Sequence, residues 1–184
     1  KDYSIIDIFA DKYLFNLKNY LFVGGMPEVV NSFVKEHDYK AVRELQSDII
    51  RMYRNDFSKH IPSRDFSKVC LVFDSIAVQL AKENKKFFFV NVKKGARSSD
   101  FENAIEWLMN AGLVHKVSKV NEPHVPLAAY KDISSYKLFF LDVGLLGAMT
   151  ELDSVSIIEG NKLFMEFKGA LTEQYVLQEL KAQT

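Results

Sequence analysis

"SSDFENAIEWLMNAGLVHKVSKV", Ser98 to Val120, decides how the middle of this chain folds. Phe101, Ala104, Ile105, Leu108 and Met109 recur at spacings of three and four, the period of a helix with one buried face. Ser99 and Glu102 have the spacing of a capping box, which predicts where that helix starts. Gly112 follows the last apolar turn, where a left-handed residue closes a helix at least cost. "LVHKVSKV", Leu113 to Val120, then reads as a short strand.

Before this stretch, "KVCLVFDSIAVQL" sets Val69, Val72, Phe73, Ile76 and Leu80 on one helical stripe, and "KKFFFVNV", Lys85 to Val92, is β-rich and short. After it come the loop "NEPH" and two further short strands, "VPLAAY" and "YKLFFLD", which predict a hairpin. Helix, short extended piece, helix and hairpin is the order of a winged helix. "DVGLLGAM" reads as one more short helix with Asp142 as its cap.

The first third reads as helices. In "SIIDIFADKYLFNLKNYLF", Ser4 can cap with Asp7 three residues on, and Ile8, Phe9 and Tyr13 share a face. "YKAVRELQSDIIRMYRNDF" places Val42, Leu45, Ile49, Met52 and Tyr53 at helical spacing. Between these helices lies "YLFVGGMPEVV", Tyr20 to Val30. Gly-Gly frees the backbone, and Pro27 fixes its own φ while biasing Met26 away from the helical region. One helix is therefore expected to stop near Val23 and another to begin with Pro27 in its first turn. "HIPSRDFS", His60 to Ser67, breaks the pattern again.

The fold expected is α+β: a lid-like helical sub-domain over residues 1–62, a winged-helix-like module with a small β-hairpin over 63–150, and the start of a further domain over 151–184. Lys plus Arg and Asp plus Glu both number 24 in 184 residues, so the net charge exerts no global pull toward nucleic acid or an anionic membrane. No apolar run is long enough to span a bilayer, and the first residues lack a signal-peptide pattern. The expected location is cytoplasmic. Cys70 is the one cysteine; its apolar helical setting predicts a buried, inert thiol. Lys1 opens the sequence and "TEQYVLQELKAQT" closes it in mid-helix, so a piece of a longer chain is expected.

The segments "YLFVGGMPEVV", "YRNDFSKH", "KKFFFVNVKKGARSSDFENAIEWLMNAGLVHKVSKVNEPHVPLAAY", "YKLFFLDVGLLGAM" and "GALTEQYVLQEL" together cover most of Tyr20 to Leu180. They resemble the region after the ATPase core in a group of bacterial and archaeal AAA+ ATP-binding proteins, whose C-terminal part is a domain of unknown function. The succession "WLMNAGLV…PLAAY…YKLFFLDVGLL" is its most specific part. The resemblance implies an ATPase core, with ATP and Mg, before Lys1, and a domain similar to the restriction-endonuclease-like fold after Thr184. This piece itself carries no phosphate-cradling G-x-x-x-x-G-K-[ST] loop and no strand ending in a Mg-binding acidic pair. No catalytic residue, cofactor or metal is therefore expected within it. Glu173 is similar in position to the acidic residue on the nuclease-like fold's first helix, and alone makes no metal site.

The resemblance also implies that Gly25, Met26 and Pro27, in "GGMPE", lie against a nucleotide bound to the full-length protein. Glycine lets main chain approach a ligand, and a helix starting at Pro27 aims its positive end there. The plain alternative is a helix–helix turn. For the winged helix, Lys93, Lys94 and Arg97, with Lys85 and Lys86, form a basic flank suited to DNA. The helix after it exposes Asp100, Glu102, Asn103, Glu106 and Asn110, and its acids repel a polyanion. His37, His60, His115 and His124 have no metal-ligand spacing and are expected in loops or at the surface. Trp107 is expected at the core edge. The function expected is a non-catalytic regulatory or interaction region of an AAA+ ATP-binding protein, relaying between ATPase core and C-terminal domain; the alternative is a DNA-binding winged helix. The expected partners are those two domains, with DNA as the alternative, no membrane, and a homo-oligomer left open.

Overall fold

The structure, a computed structural model, describes residues 4–159 and 162–183. It is mostly helical with one two-stranded antiparallel sheet, an α+β fold. In chain order the elements are α1 (Ser4–Val23), α2 (Pro27–Glu36), α3 (Tyr39–His60), α4 (Ser63–Ala81), α5 (Glu102–Asn110), β1 (Val114–Val120), β2 (Lys131–Phe140), α6 (Val143–Met149), α7 (Ser154–Glu159) and α8 (Lys162–Ala182). Among the described residues no helix is long and apolar enough to cross a membrane.

The chain groups into two compact units. One holds the segment up to Ile50 and the segment from Asp142 onward; the other is Arg51–Leu141. The division lies inside α3 and at the Leu141–Asp142 peptide bond.

In the first unit α1 packs on α6 and α7, which in turn pack on α8. Phe22, Val29, Val42, Val143, Leu146, Ile157 and Leu171 are its buried core. α1 stops at Val23 and α2 begins at Pro27, with Met26 extended at φ −65° and ψ 122°, as the Gly-Gly and Met-Pro chemistry requires. The Ser4–Asp7 cap and the Ile8 face concern side chains outside the described residues. Phe9 and Tyr13 do share a face, touching edge to face at 6.2 Å, and both are exposed.

The second unit, Arg51–Leu141, holds α4, α5 and the β1–β2 hairpin. α4 packs on α5, α5 on β1, and α4 on β2. Val72, Phe73, Ile76, Phe101, Ala104, Ile105, Leu108 and Phe140 are all buried. Gly112 is left-handed at φ 73°, and Leu113 N–H closes back to Leu108 O at 3.0 Å. β1 and β2 pair from Val114↔Phe140 to Ser118↔Tyr136, slip at a bulge, and resume with Lys119↔Asp132 and Val120↔Lys131.

Several expectations fail for local reasons. "KKFFFVNV" does not form a strand. Phe87 N–H does donate to Tyr136 O at 2.7 Å, but Phe88 N–H is taken by Gln79 Oε1 at 2.7 Å, and Phe89–Asn91 then winds into a 3₁₀ turn. "VPLAAY" is likewise a 3₁₀ turn over Leu127–Tyr130, because Pro126 has no N–H for a ladder and Ala129 N–H folds back to Pro126 O at 3.0 Å. The Ser99–Glu102 capping box does not form. Ser99 sits within a 3₁₀ turn, Ser98–Asp100, and Asp100 accepts the Arg97 N–H at 2.8 Å instead. Met109 and Met52, assigned to buried stripes, are 39% and 51% exposed at the margins of theirs. Cys70 is half-buried, with burial raising its thiol pKa.

Candidate functional site

The Gly24–Gly25 turn lies against a buried carboxylate 117 residues further along the chain. Asp142 Oδ2 accepts the Gly25 N–H at 2.7 Å, and its Oδ1 accepts the Leu145 N–H at 3.0 Å. One side chain thus holds the turn and caps α6. Asp142 is 3% exposed. Gly24 has φ 73°, and a Cβ there would stand 2.2 Å from Asp142 Oδ1. Glycine is required twice over: for the left-handed backbone and for the space.

The same turn is braced from α3. Gln46, fully buried, donates from Nε2 to Phe22 O at 2.8 Å and Val23 O at 3.0 Å, satisfying two carbonyls at the open end of α1. Arg43 Nη1 donates to Gln46 Oε1 at 2.8 Å, Nη2 donates to Leu152 O, and the guanidinium lies 4.3 Å over the Phe22 ring. Gly144, at the start of α6, admits this contact: a Cβ would come within 2.6 Å of both Gln46 Nε2 and Val23 O. Every polar group named here has a partner, the condition under which a buried network specifies one arrangement.

Electrostatics follow from burial. Desolvation raises the Asp142 carboxyl pKa above its ordinary value, opposed by hydrogen bonds from Gly25, Leu145, Gly144 and Gln178. Desolvation also raises Tyr20, with the Asp142 charge adding to it. Arg43 is lowered to about 10 by burial, against the pull of Asp153.

Of the predicted turn residues, Gly25 and Pro27 are exposed and Met26 is half-buried. In the second unit Lys93, Lys94 and Arg97 are exposed, as are Asp100, Glu102, Asn103, Glu106 and Asn110. The structure does not bring Gly25–Pro27 and Lys93–Arg97 into one unit. Trp107 is half-buried, edge to face with Phe57 at 5.3 Å. His37, His60 and His124 are exposed, whereas His115 is half-buried on β1. Glu173 is exposed on α8. Among the described residues no group of three or more His, Cys, Asp or Glu is placed to hold a metal ion.

A family model described as a domain of unknown function, DUF8612, matches residues 14–156, well over half of the chain. The chain belongs to DUF8612. No curated protein and no solved structure matches it. The DUF8612 match spans the Gly24–Gly25 turn, Arg43, Gln46, the whole Arg51–Leu141 unit and Asp142, and it ends within α7. It gives the domain no activity and no connection to an AAA+ ATPase.

Asp142 was legible only as a helix cap. The signal for Gln46 was present: it sits four residues after Val42 and three before Ile49, a polar side chain on a buried stripe, and such groups are kept where they have partners.

Proposed function

We propose that this DUF8612 chain is a non-catalytic interaction region of an AAA+ ATP-binding protein, relaying between an ATPase core and a C-terminal domain. The observation that supports it is the double duty of Asp142. Its carboxylate holds the turn that the resemblance sets beside nucleotide, and its backbone follows directly on Leu141, the residue after β2. A displacement of Gly25–Pro27 would pull on Asp142, and through one peptide bond on the end of the wing. The close approach that Gly24 permits is already filled by this carboxylate, so a nucleotide would meet the outer side of the turn, at Gly25 and Pro27. The acidic outer face of α5 argues against insertion of that helix into a DNA groove.

Amide hydrogen exchange on the chain and on Asp142→Asn tests the relay. The relay expects faster exchange at Gly25 and Leu145 and also at the Leu138–Phe140 amides of β2. Faster exchange confined to Gly25 and Leu145 contradicts it. In an ATP–Mg assay the chain is expected to show no turnover above buffer; turnover abolished by a single active-site substitution would overturn the non-catalytic reading.

A further inference from the structure

The zero net charge hides a division. Residues 51–141 hold 15 Lys and Arg against 9 Asp and Glu, a net of +6; the rest of the chain holds 9 against 15, a net of −6. Within the basic unit the acids are themselves segregated, with Asp100, Glu102 and Glu106 exposed at the start and outer face of α5. The wing is the opposite: Lys116, Lys119, Lys131 and Lys137 lie on its two strands, and Glu122 and Asp132 are the only acids from Val114 to Phe140.

The pleat sorts these charges by face. Lys116, paired with Leu138, is on the side of the sheet where Glu102 and Glu106 line a common groove with it. Val117 and Lys137, the next pair, therefore point to the other side. There a shallow groove of about 200 Å³ is lined by Lys85, Lys119 and Lys137 around Val117, with Ser135 beside them and no acidic residue in its lining. Lys85 is brought to the wing by the Phe87 N–H bond to Tyr136 O. Lys85 and Lys119 are exposed and Lys137 is half-buried. Asp132, opposite Lys119 in the register, turns its Oδ1 onto the Ser134 N–H and hydroxyl.

We propose that this basic face of the wing docks the sugar–phosphate backbone of a nucleic acid, without reading its bases. Three ammonium groups suit successive phosphates, and the sheet stands between the bound polyanion and the acids of α5. Docking by the wing thus avoids the repulsion that groove insertion of α5 would meet. It is a different site from the Lys93–Arg97 loop, which shares its groove with Asp100. The proposal goes beyond the relay and does not depend on it. The rival occupant is an anionic membrane, since Val125 and Leu127 are 91% and 55% exposed in the hairpin loop. The lysines, however, lie on the sheet face rather than around that loop.

The experiment titrates the chain into fluorescently labelled mixed-sequence duplexes of DNA and RNA, and separately into phosphatidylserine vesicles. Neutralising three phosphates lowers affinity for duplex DNA about 40-fold between about 50 and 200 mM salt. We expect that dependence, little preference between sequences, and no vesicle binding. The triple change Lys85→Ala, Lys119→Ala, Lys137→Ala should abolish binding, while Lys→Arg at the same positions retains it and keeps the fold controlled. Lys93→Ala, Lys94→Ala, Arg97→Ala should leave affinity within about twofold, since phosphate contacts act locally. No duplex binding at the lower salt, binding unaltered by the wing triple, loss through the 93/94/97 triple instead, or binding to vesicles alone would each overturn the proposal.

Discussion

Around Gly24 the chain is packed so closely that one added methyl would meet a carboxylate oxygen at 2.2 Å, whereas around Phe73 it is packed by rings that touch edge to face at 5.1 Å and 5.3 Å. The first region is held by hydrogen bonds to named backbone groups, from Asp142, Gln46 and Arg43. The second is held by apolar area, which has no direction. The two therefore fail in opposite ways: the turn breaks when an atom is added, the aromatic core when atoms are removed.

The largest effect is expected from removal in the core. Leu108, fully buried on α5, should lose about 2–5 kcal/mol on Leu108→Ala, the range for a truncated core leucine, in a urea unfolding series. A loss below about half a kcal/mol would mean that the stripe is not a core face. Addition at the turn comes next. Gly24→Ala combines a left-handed backbone, worth about 1–2 kcal/mol, with overpacking of about 1–3 kcal/mol. Thermal and urea unfolding should agree on a total of about 2–5 kcal/mol; a cost near zero would mean that the turn relaxes freely.

The Asp142 carboxyl sharpens the contrast, because only the polar region titrates through it. Burial lifts its pKa above the ordinary 3.8, so the folded chain holds this proton more tightly than the unfolded one. The proton-linked stabilisation is full below the unfolded value and is lost as pH rises through the folded value. The stability of the wild type relative to Asp142→Asn should accordingly decline as pH is raised from below about 3.8 and then level off. A relative stability that climbs over that range contradicts the burial argument.

The smallest effect should come from Gly112→Ala. Its φ of 73° matches that of Gly24, but a Cβ there meets nothing within 4 Å. Only the left-handed backbone cost of about 1–2 kcal/mol is left, read from the urea midpoint.

How much of this was legible divides along the same line. Helix α5, its Gly112 stop and the β1–β2 hairpin follow from local period and turn chemistry, and they were readable. So were the end of α1 at Val23, Pro27 at the head of α2, and Asp142 as the cap of α6. What failed depended on a distant partner. "KKFFFVNV" has strand composition, yet a glutamine amide from α4 claims its next N–H. Met52 and Met109 match the stripe period but lie at its margin, where flexible side chains tolerate solvent. The Gly24–Asp142 contact joins residues more than a hundred positions apart, and a single sequence contains no local sign of it. The net charge misled for a similar reason: zero over the chain, it is +6 and −6 over units that composition cannot delimit.

The central claim is that Gly24 is glycine because Asp142 occupies the space of its missing side chain. A double-mutant cycle over Gly24→Ala and Asp142→Ala, followed by urea unfolding, tests it most directly. With the carboxylate gone, Gly24→Ala should cost only the left-handed backbone term of about 1–2 kcal/mol, close to what Gly112→Ala costs. The two changes should then be less than additive, with a coupling of about 1–3 kcal/mol, the overpacking that the carboxylate imposed. Additivity within about 0.5 kcal/mol would show that the two residues do not sense each other, and would contradict the account.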